Sequence, residues 1–126
     1  MFAPGGERLY SRALMLSQGG VKIAIVSVDM LTIPESLYRE VRKAVAPDTN
    51  LFLAATHTHS APDSQMLNDR MTLNIPGIAN FRPRWLRWYA GRIAESVKRA
   101  ARASPARVKG LAVTSFTLSL SRPRGS

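Results

Sequence analysis

The sequence contains no cysteine among its 126 residues. Disulfide bonds and thiolate metal ligands are therefore excluded, and a zinc ion would have to be bound by histidine, carboxylate, tyrosine or water. No apolar run approaches the roughly 20 residues that a membrane-spanning helix requires. Residues 1–6 have neither the positive start nor the apolar core of a secretory signal. We therefore expect one soluble or peripheral domain, and the sequence leaves its compartment undetermined.

Acidic residues are also few, with 8 Asp and Glu against 18 Lys and Arg, which gives a formal net charge of +10. Such an excess attracts phosphate-bearing surfaces, either nucleic acid or anionic lipid, at long range. Arginines dispersed among many alanines are also what a biased genome composition yields, so we favour a solvated surface over functional anion binding. An anionic membrane surface remains the alternative partner, while nucleic acid is disfavoured because no groove-reading motif is present.

The N-terminal part of the chain predicts a β-hairpin. Residues 10–16 and 21–29 have strand-like patterns, and a turn at residues 17–20 with two glycines separates them. The second segment is rich in β-branched residues, which favours a central strand covered on both faces.

A helix start follows at Thr32, with Pro34 tolerated in the first turn and Glu35 completing a capping box. Residues 47–50 end this helix and lead into a strand at 51–56. Strand, helix and strand in this order predict a right-handed βαβ crossover with parallel strands.

Beyond residue 62 we predict a long loop at 63–83, which either closes over a hydrophobic chain or is disordered in a fragment that lacks its partner segments. A helix at 84–103 and a strand at 108–120 follow. Trp85 and Trp88 stand beside the apolar stripe of that helix, among arginines. A core or loop-covering role is favoured for them over a membrane interface. The fold prediction is an α/β domain spanning 1–126, with a mixed sheet, a β-hairpin, a βαβ crossover, a second long helix and a C-terminal strand.

The only two histidines, His57 and His59, follow the strand at 51–56. Side chains alternate along an extended backbone, so both imidazoles should point the same way, with Cβ atoms about 7 Å apart. They could then serve one metal or one substrate. Parallel strands bring Asp29 to the same sheet edge, as an orienter of an imidazole, a metal neighbour or, as we favour, a structural cap. The alternative is a polar strand end that only caps the sheet by hydrogen bonding.

The motif Thr-His-Thr-His-Ser-Ala-Pro at 56–62, with Ile-Val-Ser-Val-Asp at 25–29, resembles the N-terminal catalytic domain of the neutral/alkaline, non-lysosomal ceramidases. The resemblance implies a zinc-dependent amidase that cleaves ceramide or a related lipid amide into a fatty acid and a sphingoid base. It assigns His57 to Zn2+ and His59 to the scissile amide. Asp29 and Ser60 are the proposed supporting residues.

The chain departs from the family pattern in two places. The family's Ser-Gly-Pro-Gly-Gly reads Ser-Ala-Pro-Asp-Ser at 60–64, and its C-terminal Asn-Arg pair reads Ser-Arg-Pro-Arg at 121–124. The family's remaining ligands, a histidine, a glutamate and a tyrosine, and its catalytic serine lie beyond this length. The resemblance therefore implies a fragment or a shortened relative that needs the remaining segments as partners, with weak zinc binding and little or no turnover alone.

Other metal-site interpretations are less well supported. A His-x-His after a strand also opens the site of amidohydrolase barrels, but such a barrel needs about 250 residues. The His-x-His-x-Asp-His motif of metallo-β-lactamase-like hydrolases is not completed, since Ser60-Ala61-Pro62 follows His59 with no Asp-His. A Ser-His-Asp triad is disfavoured because no third histidine can serve Ser60 as a base. The non-enzymatic alternative is a basic module that binds anionic lipid or nucleic acid.

Overall fold

The structure is a computed structural model that describes residues 8–73, 76–77 and 79–115. The elements are, in order, β1 (Ser11–Gln18), β2 (Val21–Val28), α1 (Glu35–Ala44), β3 (Thr49–Ala55), a 3₁₀ turn (Ser64–Leu67) and α2 (Pro83–Arg102). The strands form one sheet in the order β1-β2-β3, antiparallel between β1 and β2 and parallel between β2 and β3. The predicted α/β fold, with its hairpin, crossover and second long helix, is confirmed.

The β1–β2 hairpin closes through two glycines. Gly19 and Gly20 have φ angles of 55° and 84°, and Gln18 pairs with Val21 across them. A two-residue turn with positive φ at both positions matches the right-handed twist of the flanking strands, and glycine adopts it without a Cβ clash. This local chemistry fixes the register of the two strands.

Only one face of the sheet is covered by the described residues. Ala24, Val26 and Val28 are buried against both helices, whereas the intervening Ile25 is 44% exposed. The strand pairing places Leu14, Ile25 and Phe52 in one row across the uncovered face. We call this row the open sheet face. The prediction that β2 is covered on both faces is therefore wrong, because both helices pack on the same side.

The two helices cover the other face with apolar stripes. Leu37 and Val41 of α1 and Ile93 of α2 are fully buried. The predicted capping box at the start of α1 is wrong: the N-cap residue is Pro34, and no side chain caps the helix. The Thr32 hydroxyl instead lies 2.6 Å from the Ser64 hydroxyl, because the 3₁₀ turn packs there.

The interval 63–83 is more ordered than the predicted loop. Leu67 in the 3₁₀ turn is fully buried, and the Ser36 hydroxyl donates to its carbonyl oxygen at 2.5 Å. The Arg82 amide donates to the Met66 carbonyl at 2.7 Å. Leu67 and the Ser36 hydrogen bond hold the segment against α1, and the Arg82–Met66 bond joins its two ends at the start of α2. Residues 74, 75 and 78 lie outside the described residues.

The predicted C-terminal strand is absent from 108–115, and its second half, 116–120, lies outside the described residues. Val108, Leu111 and Val113 are 65%, 78% and 85% exposed. Alternating apolar residues form a strand only where a neighbouring strand accepts their backbone hydrogen bonds. In the described part of the chain this segment has no such neighbour.

Candidate functional site

The histidines lie at the edge of the sheet where β2 and β3 end together. Val28 is in register with Ala55, and the Thr56 amide donates to the Val28 carbonyl at 3.0 Å. Asp29 and His57 therefore leave the sheet from the same edge, as parallel pairing predicts. The edge combines residues that are far apart in sequence.

The backbone turns sharply at His57. Its φ angle is +60°, and among the described residues it is the only non-glycine residue with positive φ. This left-handed conformation is disfavoured for a residue with a Cβ, and residues held in it are enriched at functional sites. Since β3 ends at Ala55, His57 and His59 do not lie in an extended strand. The period-two geometry predicted for them is wrong.

The turn nevertheless brings the two imidazoles together. The ring centroids of His57 and His59 lie 5.4 Å apart, and the ring planes are perpendicular. Two imidazoles that share a tetrahedral zinc, each at about 2.1 Å, have centroids about 5 Å apart. The separation therefore suits either one shared metal or a metal beside a substrate group. Both side chains are exposed.

A backbone carbonyl orients His57. The ring atom Nδ1 lies 2.9 Å from the carbonyl oxygen of Leu31. Because a carbonyl oxygen can only accept, Nδ1 donates this hydrogen bond, and Nε2 is the ring nitrogen left for another partner. Metal-binding histidines are typically fixed in this way by a carbonyl or carboxylate on the far nitrogen.

Asp29 interacts with β1 rather than with either imidazole. Its Oδ2 accepts from the Tyr10 amide at 2.9 Å, and its Oδ1 lies 3.3 Å from Nη1 of Arg12. Its side chain is only 16% exposed. The carboxylate thus fixes the start of the hairpin, a structural role like the one favoured from the sequence, although it caps a strand instead of a helix.

Ser60 belongs to a small turn after the second histidine. Its amide donates to the Thr58 hydroxyl at 3.2 Å, the pattern of a local side-chain turn. Among the described residues its own hydroxyl makes no hydrogen bond to an imidazole. The turn positions His59 beside His57, and Ser60 takes part in this turn through its backbone amide.

The described residues do not include a complete set of metal ligands. No group of three or more His, Asp or Glu side chains among them could hold a metal ion. A catalytic zinc usually takes three protein ligands and keeps one position open. The paired imidazoles of His57 and His59 offer two nitrogen donors, fewer than a catalytic zinc requires.

Two features of this end of the molecule were not predicted from the sequence. Leu31 acts through its backbone carbonyl, so its side chain gave no signal of this role in the sequence. Trp85 and Trp88, for which a core or loop-covering role was favoured, are 47% and 40% exposed. The three-residue spacing of the tryptophans was visible in the sequence. The side of α2 that faces outward depends on how Tyr89 packs beside them.

Comparisons with known proteins add no relative. A scan against protein-family models, a search of curated proteins and a search of solved structures each found no match to the chain. The resemblance of residues 56–62 to the ceramidases therefore stays a prediction. Among the described residues, neither helix is apolar enough over a sufficient length to cross a bilayer.

Proposed function

We propose that residues 57–60 form the metal-binding half of a zinc-dependent amide hydrolase site that acts on a lipid amide of the ceramide class. The observation that carries the proposal is the hydrogen bond from Nδ1 of His57 to the Leu31 carbonyl, which leaves Nε2 available for a metal. The left-handed backbone at His57 adds support, since such strain is concentrated at functional sites.

The two histidines have different roles in this proposal. His57 binds the metal through Nε2, and His59 faces the scissile amide, where an imidazole can hold or release a proton at the leaving nitrogen. The chemistry that a bound zinc ion supplies is polarisation of the amide carbonyl. Since further ligands must come from outside the described residues, we expect weak metal binding by this chain alone and little or no turnover.

Cobalt(II) titration followed by visible absorption tests the half-site directly. The full chain is compared with His57→Ala, His59→Ala and the matched control Thr56→Ala, whose exposed side chain neighbours the site. We expect weak binding that Thr56→Ala leaves unchanged and His57→Ala abolishes. Retention of cobalt binding by His59→Ala supports separate roles for the two histidines. Loss in His59→Ala overturns its assignment to the substrate, and binding that survives His57→Ala overturns the metal site.

Hydrolysis is tested in a longer protein that carries the further metal ligands. If the adjoining coding sequence supplies a histidine, a glutamate and a tyrosine, we expect the extended protein to release fatty acid from a short-chain ceramide. Chelation and His57→Ala should both abolish this activity. An extended protein that binds metal and leaves the amide intact would overturn the assigned reaction without affecting the metal site.

A further inference from the structure

The tryptophans of the chain form a packed cluster on α2. The sequence has only two, and both are exposed on this helix, at 47% for Trp85 and 40% for Trp88. Their rings meet edge to face with centroids 5.6 Å apart, and Trp88 also packs on Tyr89 at 5.1 Å. Tyr89 is buried, with 3% exposure. The indoles therefore stand on a fixed base and face outward.

Arginines surround the two indoles. Arg84, Trp88 and Arg92 are spaced four residues apart, so they follow one line along the helix surface, with Trp85 beside it. Both arginines are exposed, and no ion pair within the described part of the chain involves them. Cations near a helix N-terminus oppose the helix dipole. Helix electrostatics therefore do not account for Arg84, which lies in the first turn of α2.

We propose that Arg84, Trp85, Trp88 and Arg92, named here the Trp–Arg surface, dock the protein on an anionic lipid bilayer. Indoles favour the headgroup level of a membrane, where the apolar ring is buried and the ring N–H stays hydrated. Guanidinium groups bind lipid phosphates, and anionic headgroups attract a chain with a net charge of +10. Charge complementarity thus selects an anionic surface as the occupant.

The ring geometry favours lipid over single-stranded nucleic acid. Bases bind such proteins by stacking flat on open aromatic faces. Trp88 makes near-perpendicular contacts with both Trp85 and Tyr89, at 87° and 84°. Edge-to-face packing engages ring faces that bases would need. A headgroup layer has no such requirement, because it surrounds the indoles from the outside.

The Trp–Arg surface lies toward the same end of the molecule as the histidines. The Ser96 hydroxyl is 2.9 Å from that of Ser11, and Ser11 pairs with Val28 at the end of β2. Trp85 precedes Ser96 by 11 residues, which is about 16 Å along a helix axis. Arg99 and Ala13 line the same pocket, so the C-terminal part of α2 runs along β1 away from Ser11. The N-terminal part of α2, which carries the tryptophans, therefore extends in the opposite direction, beyond the sheet edge from which His57 emerges. Docking would bring the histidines near lipid, a consequence that rests on the proposed function.

Vesicle binding by the full chain tests the docking surface. Phosphatidylcholine vesicles with and without phosphatidylserine are compared by co-sedimentation and by tryptophan emission, which reports this surface without a label. We expect binding and a shift of emission to shorter wavelength only with phosphatidylserine, both weakened by added salt. Trp85→Ala/Trp88→Ala should reduce co-sedimentation while the circular dichroism spectrum is retained.

Charge reversal separates a local surface from net charge. Since each basic residue near an anionic surface contributes about a fivefold factor, Arg84→Glu/Arg92→Glu should weaken binding by at least about 25-fold. The control Arg107→Glu/Lys109→Glu makes the same change of charge at exposed positions beyond the other end of α2. A much smaller loss in the control supports the proposal. Equal losses in both variants, or absence of an emission shift, would overturn it.

Two further measurements complete the test. A single-stranded oligonucleotide that binds more tightly than the vesicles, and depends on the same residues, would overturn the lipid assignment in favour of nucleic acid. His57→Ala and His59→Ala should bind vesicles like the unmodified chain. Loss of docking and loss of the metal site are therefore distinguishable.

Discussion

Nδ1 of His57 lies 2.9 Å from the carbonyl oxygen of Leu31, a residue 26 positions earlier in the chain. The contact joins the segment after β3 to the segment between β2 and α1. It helps to hold His57 in the left-handed conformation at φ +60°. One hydrogen bond thus links the backbone strain of the candidate site to the orientation of its imidazole.

That strain can be measured by comparing two substitutions. Both His57→Gly and His57→Ala remove the imidazole, but only glycine adopts φ +60° without steric cost. We expect His57→Gly to be more stable than His57→Ala by about 1 kcal/mol in urea unfolding. Thr56→Gly and Thr56→Ala provide the control, because Thr56 does not have positive φ. There alanine should be the more stable of the two, and the same order at both positions would contradict the assigned strain.

Two glycine substitutions, one in the hairpin turn and one in α2, should have opposite effects on stability. Gly20 has φ +84°, so Gly20→Ala should destabilise the protein by about 1 to 2 kcal/mol through backbone strain alone. Gly91 lies inside α2, and an added Cβ meets no atom within 4 Å. Gly91→Ala should therefore stabilise by roughly 0.5 to 1 kcal/mol. Urea unfolding of both variants gives the comparison, and destabilisation by Gly91→Ala would show that the helix surface is covered.

Adjacent residues of β2 should respond differently to threonine. Val26 is fully buried, so Val26→Thr places a hydroxyl in the core and should cost about 1 to 3 kcal/mol. Ile25, on the open sheet face, is 44% exposed, and Ile25→Thr should cost under about 1 kcal/mol. Thermal or urea unfolding measures both. Equal losses would mean that the open sheet face is covered in solution, and sedimentation would then show whether a second copy covers it.

Tyr89 predicts a loss of stability at alkaline pH. Burial raises the pKa of its phenol above the ordinary value of 10.0. The folded state therefore favours the neutral phenol, and the resulting stabilisation is fully present below pH 10 and is lost as the pH rises through the folded-state pKa. Tyr89→Phe should lose less stability than the unmodified protein above about pH 10.

The control for this pH dependence is Tyr10→Phe, at a position that is 47% exposed. It removes a phenol that is in contact with water, so the two variants differ in whether the lost hydroxyl is buried. Urea unfolding at several pH values separates the two variants. A decline that is unchanged by Tyr89→Phe would contradict the burial of an un-ionised phenol.

Local patterns predicted most of the elements. The pair Gly19-Gly20 between two strand-like segments required a tight turn, and β1 and β2 formed around it. The apolar spacing in residues 84–103 predicted a helix within one residue of α2. Parallel pairing of β2 and β3 followed from the helix between them and placed Asp29 and His57 at one edge.

Other predictions failed because they depended on partners distant in sequence. Thr32 has the chemistry of a helix cap, but its hydroxyl meets Ser64 instead. Within the residues that the structure describes, the segment at 108–115 has no strand beside it and forms none. The covering of β2 was misjudged because hydrophobic content does not reveal on which face the helices pack.

The sequence by itself determined the secondary structure of the α/β unit, its basic charge and the placement of both histidines after a strand, since these depend on neighbouring residues. Only the tertiary structure decided that His57 turns left-handed onto the Leu31 carbonyl, that Asp29 fixes the hairpin and that Trp85 and Trp88 face outward. These features depend on groups brought together across the fold, whose distances are set by packing and not by spacing along the chain.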